Sequence, residues 1–147
     1  MVQVLVLTSS VAWAVVYEPL PAMPYPADNP PTAEKEKLGS ALFFDPRLSG
    51  NNKVSCSTCH LSDKNWVDQK PRSIGIDGKE LRRNSPTLLN SGYSSSQFWD
   101  GRAASLEEQS LMPIQDPSEM NQSLPELFDE LSAVPEYLSM FKTAFGD

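Results

Sequence analysis

Cys56, Cys59 and His60 stand together in the run Cys-Ser-Thr-Cys-His, a C-x-x-C-H pattern. Two cysteines three apart on a helical turn can each form a thioether to one edge of a porphyrin. The histidine that follows then projects a ring nitrogen toward the iron. Two other chemistries use C-x-x-C. A redox dithiol of the thioredoxin kind needs a βαβ frame, and the sequence shows no such pattern. A zinc site needs four ligands, whereas the chain has two cysteines and one histidine in all. The spacing therefore predicts one covalently attached haem c, tethered by Cys56 and Cys59, with His60 as the proximal ligand.

His60 is the only histidine, so no second imidazole can close the opposite side of the iron. A methionine, a water or an open position remains. A methionine ligand would favour an electron carrier of raised potential, and an open position would let a small oxidant reach the iron. Of the five methionines, Met112, Met120 and Met140 fall in or near helical patterns, where methionine is usually packing. On these residues alone, carrier and enzyme stay open.

The elements that must position this motif read as all-α with long loops. A first helix is expected over about residues 32–44, capped by Thr32, with Leu38, Leu42 and Phe43 on its apolar side and Asp45-Pro46 as its stop. Residues 49–55 read as a turn into the cysteines, and residues 61–96 as mostly loop, broken by glycines at 75, 78 and 92 and prolines at 71 and 86. Ser105-Leu106-Glu107-Glu108 and Ser123-Leu124-Pro125-Glu126 each have the form of a capping box. The first predicts a helix ending near Pro113. The second opens a helix with Leu124, Leu127, Phe128 and Leu131 on one stripe. A last helix from about Pro135 sets Leu138, Phe141 and Phe145 on one side.

Ahead of these lie two segments of different composition. Residues 17–31 hold six of the 13 prolines and read as an extended surface arm. Residues 2–16 are apolar and uncharged, and Ala12-Trp13-Ala14 has the small-x-small form of a signal cleavage site. The stretch is short and serine-broken for a membrane span. It is expected to be a signal segment, lacking the usual positively charged start, that exports residues 32–147 to the periplasm as one haem domain. A net charge of −7 offers no basic stripe for nucleic acid. An acidic surface can attract a basic redox partner, although charge of this kind also serves solubility alone.

Four segments carry a resemblance: LGSALFFDPRLSGNNKVSCSTCH (38–60), RNSPTLLN (83–90), FWDGRAASLEEQ (98–109) and PIQDPSEM (113–120). In order and spacing they resemble the bacterial dihaem cytochrome c peroxidases, a family that includes the MauG-like proteins. The resemblance implies a cytochrome c-like fold and the N-terminal, peroxide-reducing haem domain of that family. It implies Glu119 as the acid/base carboxylate of the distal pocket, Gln109 as its neighbour that orients peroxide, and Trp99 on the route between two haems. It also implies Asn84 at a calcium site between the domains. Each has a plainer reading: Glu119 in the first turn of a helix, Gln109 on a solvated helix face, and Trp99 in the core. Arg102 could pair with a haem propionate or with Asp100. Trp13 and Trp66 receive no role.

Two departures from the family matter. Many members place a distal histidine in the loop that here reads SIGIDGKELRRNSP (73–86), and the corresponding position is read as Ile76, which cannot bind iron. A haem without that ligand is expected to be five-coordinate or water-bound. The second haem domain, with its own C-x-x-C-H, is missing from the 147 residues, which reads as a fragment of a longer protein or a haem supplied by another chain. The leading expectation is reduction of hydrogen peroxide to water with electrons from a donor cytochrome c or cupredoxin. A monohaem relay cytochrome and a MauG-like oxidase acting on a partner protein are the alternatives.

Overall fold

The computed structural model describes residues 17–146, and the expected signal segment, residues 1–16, lies outside them. The described chain is helical, with no strand and only the isolated bridges Ile74–Glu80 and Gln97–Ala103. Helix α1 (Ala33–Phe44) starts where expected. Thr32 Oγ1 accepts from the Lys35 amide at 3.2 Å, and Glu34 and Glu36 meet the positive end of the helix dipole. Asp45 is extended because Pro46 follows it, and this stops the helix. Its carboxylate then accepts from the Arg47 amide and caps a short turn, Pro46–Leu48. Helix α2 (Cys56–Cys59) is a single turn carrying both cysteines, with Ser55 N–H donating to Thr58 Oγ1 at 3.0 Å.

Helices α3 (Leu106–Gln115), α4 (Leu124–Ser132) and α5 (Pro135–Phe145) complete the frame. Three details depart from the sequence reading. Helix α3 runs two residues past Pro113. The ring removes one amide donor, but the turn still closes through Asp116 N–H to the Met112 carbonyl at 3.0 Å. The Ser123 side chain makes no cap bond, so the second capping box does not form; its amide goes instead to Gln122 Oε1. The apolar stripes are also narrower than their spacing implied. Leu127 and Leu131 are buried, whereas Phe128, Leu138 and Phe145 are exposed, and Tyr137 takes the inner position on α5. By contrast, Ser105 caps α3 through the Glu108 amide at 3.1 Å, and Glu108 reaches back to the Ala104 amide at 2.7 Å.

Leu38, Leu48, Ile114, Met120, Leu127, Leu131 and Tyr137 form one core where α1 and α4 meet α5. Tyr137 also ties α5 to the end of α1, its hydroxyl donating to Asp45 Oδ2 at 2.6 Å. Burial, then this hydrogen bond, pushes the phenol up to about 12. A raised phenol pKa favours the native state below the unfolded value of about 10, and that stability is lost as pH rises through about 12. In the chain with both cysteines tied up as thioethers, which do not titrate, thermal melts should therefore hold level to about pH 10 and then fall. Tyr137→Phe should cost about 1–3 kcal/mol near neutrality and remove the alkaline step; an unchanged alkaline step would locate it elsewhere.

The proline arm lies on the surface, as its composition requires, but it is fastened. Tyr93 donates to the Pro21 carbonyl at 2.7 Å, and Asn29 Nδ2 to Glu107 Oε1 at 2.9 Å. Gly92 leaves room for the Met23 thioether; a Cβ there would stand 2.5 Å from its sulfur. The arm is thereby held along the segment that leads to Phe98 and Trp99.

Candidate functional site

The site begins on α2, where Cys56 and Cys59 lie one helical turn apart as free thiols. Burial pushes both upward; at Cys59 the carboxylates of Asp68 and Glu119 add to it and bring the thiol to about 11. Both are protonated at neutral pH, which keeps them poor metal thiolates. His60 closes the turn, its amide bonded to the Cys56 carbonyl at 3.0 Å. Its Nδ1 lies 3.0 Å from the Trp66 carbonyl, which can only accept, so Nδ1 carries the proton and Nε2 keeps its lone pair free. Phe43 packs against both the His60 and Trp66 rings. Two thiols not paired with each other, beside an imidazole of fixed tautomer, form a donor set that fits a thioether-linked haem.

Trp66 is a residue that sequence reasoning passed over, and its contribution comes from the main chain. Asn65 and Trp66 both have left-handed backbones, φ 56° and 62°. For a bulky residue such as Trp66 this costs on the order of 1–3 kcal/mol and persists where surrounding structure dictates it. Here it turns the Trp66 carbonyl onto His60. No side-chain pattern could signal this.

An open cleft of about 400 Å³ is lined by Phe98, Arg102, Met112, Pro113, Gln115, Asp116 and Glu119. Glu119 lies in a turn between α3 and α4, five residues before α4 starts, so it is not a helix-end carboxylate. Burial raises its pKa and Asp116 adds to that, while Arg102 works the other way. Gln109 stands one turn earlier than Met112 and Pro113 on the same face of α3, half-buried and outside the cleft lining. Met120 is in the core and Met140 packs against it, which leaves Met112 as the methionine at the cleft. The cleft and the cysteine turn meet through one loop. Cys59 Sγ is 3.9 Å from the Ile74 carbonyl, and the next residue, Gly75, lies against Ser118 and Glu119.

Arg102 pairs with Asp100 at 2.8 Å and stacks 3.5 Å over the Phe98 ring. Phe98, with φ 67°, is a second bulky residue in the left-handed region. Its neighbour Trp99 is 67% exposed, so the core position expected of most tryptophans does not apply. Asn84 is exposed as well, and the ion pair of Arg83 with Asp100, 3.4 Å, joins its segment to that of Trp99. Ile76 is buried, 2% exposed, with its amide donating to the Glu119 carbonyl at 2.8 Å.

A family model described as di-haem cytochrome c peroxidase matches residues 33–147. The chain belongs to the di-haem cytochrome c peroxidase family. It is 47% identical over 125 residues to the methylamine utilization protein MauG of Methylorubrum extorquens, covering 85% of this chain and 35% of that protein. It is 40% identical over 134 residues to the cytochrome c551 peroxidase of Pseudomonas aeruginosa, covering 90% of this chain and 38% of that protein. Among solved structures it is similar to a MauG-like protein associated with microbial copper homeostasis, with 38% identity and a TM-score of 0.80 over 86% of this chain and 38% of the other. The chain thus spans somewhat over a third of the length of these relatives. For a di-haem peroxidase domain, the all-α, cytochrome c-like fold is the expected one, and membership implies c-type haem.

Proposed function

We propose that residues 32–147 form the peroxide-reducing haem domain of a di-haem cytochrome c peroxidase, with haem c held by Cys56, Cys59 and His60. The observation that carries this reading is a half-buried carboxylate, Glu119, placed in a cleft beside the cysteine turn with its pKa raised by burial. Haem, when bound, supplies the redox-active iron; the chain supplies proton handling and orientation. Glu119 takes a proton from one peroxide oxygen and returns it to the other, so that water leaves. Gln109, an amide with both donor and acceptor, orients the peroxide from α3. With two electrons and two protons, one hydrogen peroxide gives two waters. The electrons are assigned to a small donor cytochrome c or cupredoxin and reach this domain through a second haem, with Trp99 on the route. Its exposure supports a role at a contact between units. Asn84, exposed on the adjoining segment, is assigned to calcium at the same contact. The reading places the protein in the periplasm, and among the described residues no helix is long and apolar enough to cross a membrane.

A second reading has one observation behind it: Met112 lines the same cleft, and a thioether there could serve a relay cytochrome. The ferric spectrum of the haem-loaded protein separates the two. An open site gives a high-spin, five-coordinate or water-bound spectrum that changes within seconds of adding one equivalent of peroxide. A purely low-spin, six-coordinate spectrum that ignores peroxide would overturn the peroxidase reading in favour of the relay.

A further inference from the structure

The turn that bears Glu119 is held from outside by its main chain. Its carbonyls accept from segments other than the flanking helices: Pro117 from Lys79 Nζ at 2.9 Å, Glu119 from the Ile76 amide at 2.8 Å, and Met120 from the Gly50 amide at 2.9 Å. Gly75 presses on the same turn. Its φ of −92° would suit any residue, but a Cβ would run into the Ser118 carbonyl oxygen and stand 3.0 Å from Glu119 Cα. The 75–79 segment is itself closed on three internal bonds, Gly75 N–H to the Lys79 carbonyl at 2.8 Å, Lys79 N–H to the Ile76 carbonyl at 3.1 Å and Gly78 N–H to the Gly75 carbonyl at 3.3 Å. The segment is thus a closed unit with one flat contact, one amide and one ammonium directed at three successive residues, Pro117, Ser118 and Glu119.

We infer that the 75–79 segment is a clamp that sets the position of the Glu119 carboxylate in the cleft, with Lys79 and Gly75 as its positioning residues. The inference rests on the proton-transfer role proposed for Glu119. Two links are main-chain donors or bare glycine and reach no further than the turn. Lys79 supplies the remaining link from a side chain, so it can be removed without altering the backbone. A charge-assisted bond to a carbonyl on a short turn restrains the next residues closely, and proton transfer is sensitive to misplacement on the order of 1 Å.

The test uses the haem-loaded chain, with the bimolecular rate of ferric protein and hydrogen peroxide followed across pH. Lys79→Met should slow the reaction by about 10-fold and shift the acid limb of the profile, while Lys79→Arg, which keeps a donor and a charge, should restore most of both. The loss should persist in high salt, since a local hydrogen bond is screened less than a distant charge. Gly75→Ala should slow the reaction by up to about 100-fold; should it fail to fold, the Lys79 pair still decides. Normal rates and an unmoved limb in Lys79→Met, beside a strong loss in Glu119→Gln, would overturn the clamp and leave Glu119 its role. No loss in Glu119→Gln would overturn both.

Discussion

Glu119→Gln is expected to slow the reaction of hydrogen peroxide with the ferric, haem-loaded chain by about 10²- to 10⁴-fold, the usual loss when a general acid–base is removed. The substitution keeps size and hydrogen bonding and deletes only the ability to exchange a proton. Stability gives no competing explanation. Burial raises the Glu119 pKa, so folding works against its charged form near neutral pH, and a neutral amide carries no such penalty. The variant should melt no lower than the parent. The pH profile adds a second check. As a base, Glu119 must be ionised, so the parent's rate should fall with acid at a pH above the ordinary glutamate value of 4.5, because the shift is upward. Glu119→Gln should lose that limb. A variant that keeps both rate and limb would show that the proton is carried elsewhere.

The other large effect concerns attachment. Replacing Cys56 and Cys59 together by Ala should abolish covalent haem: the chain made in a haem-attaching host should lose all its haem to acidic acetone, and the parent none. The thiols themselves can be tested before attachment. In the haem-free chain Cys59 has its pKa pushed from 9.0 to about 11 by burial and nearby carboxylates. Its thiolate fraction at neutral pH is then about 100-fold below that of an unperturbed thiol, and alkylation should slow in proportion. Alkylation of Cys59 at the rate of an open peptide thiol would mean that the pocket around α2 is not closed without haem. Retention of covalent haem by the double variant would remove the basis of the C-x-x-C-H assignment.

These effects come from different levels of the molecule. The grouping of the cysteines and histidine on one turn was legible because neighbours in sequence are neighbours in space there, the spacing that the proposed thioether attachment would need. The start of α1 and the cap of α3 were legible for the same reason, since Thr32 and Ser105 bond to amides three residues away. The second capping box failed because Gln122 competes locally for the Ser123 amide. The apolar stripes of α4 and α5 misled because period marks a face and not its neighbours: Phe128, Leu138 and Phe145 keep the spacing yet stay exposed.

What the sequence by itself determined is the all-α class with its proline-rich arm and, through motifs in order, the family; the tether proposed for Cys56, Cys59 and His60 rests on spacing it also carries. The structure decided how the turn that bears Glu119 is held. Glu119 lies 59 positions beyond His60 in the chain, and what brings it to the cysteine turn is a loop in which Gly75 has no side chain and Ile76 and Lys79 donate to carbonyls. The Trp66 carbonyl on His60 is of the same kind. The Ile76 amide and the Trp66 carbonyl are backbone groups that every residue possesses, and the Lys79 ammonium and bare Gly75 act on a turn about 40 positions away, so no local pattern encodes these contacts; only the tertiary path of the chain brings them together.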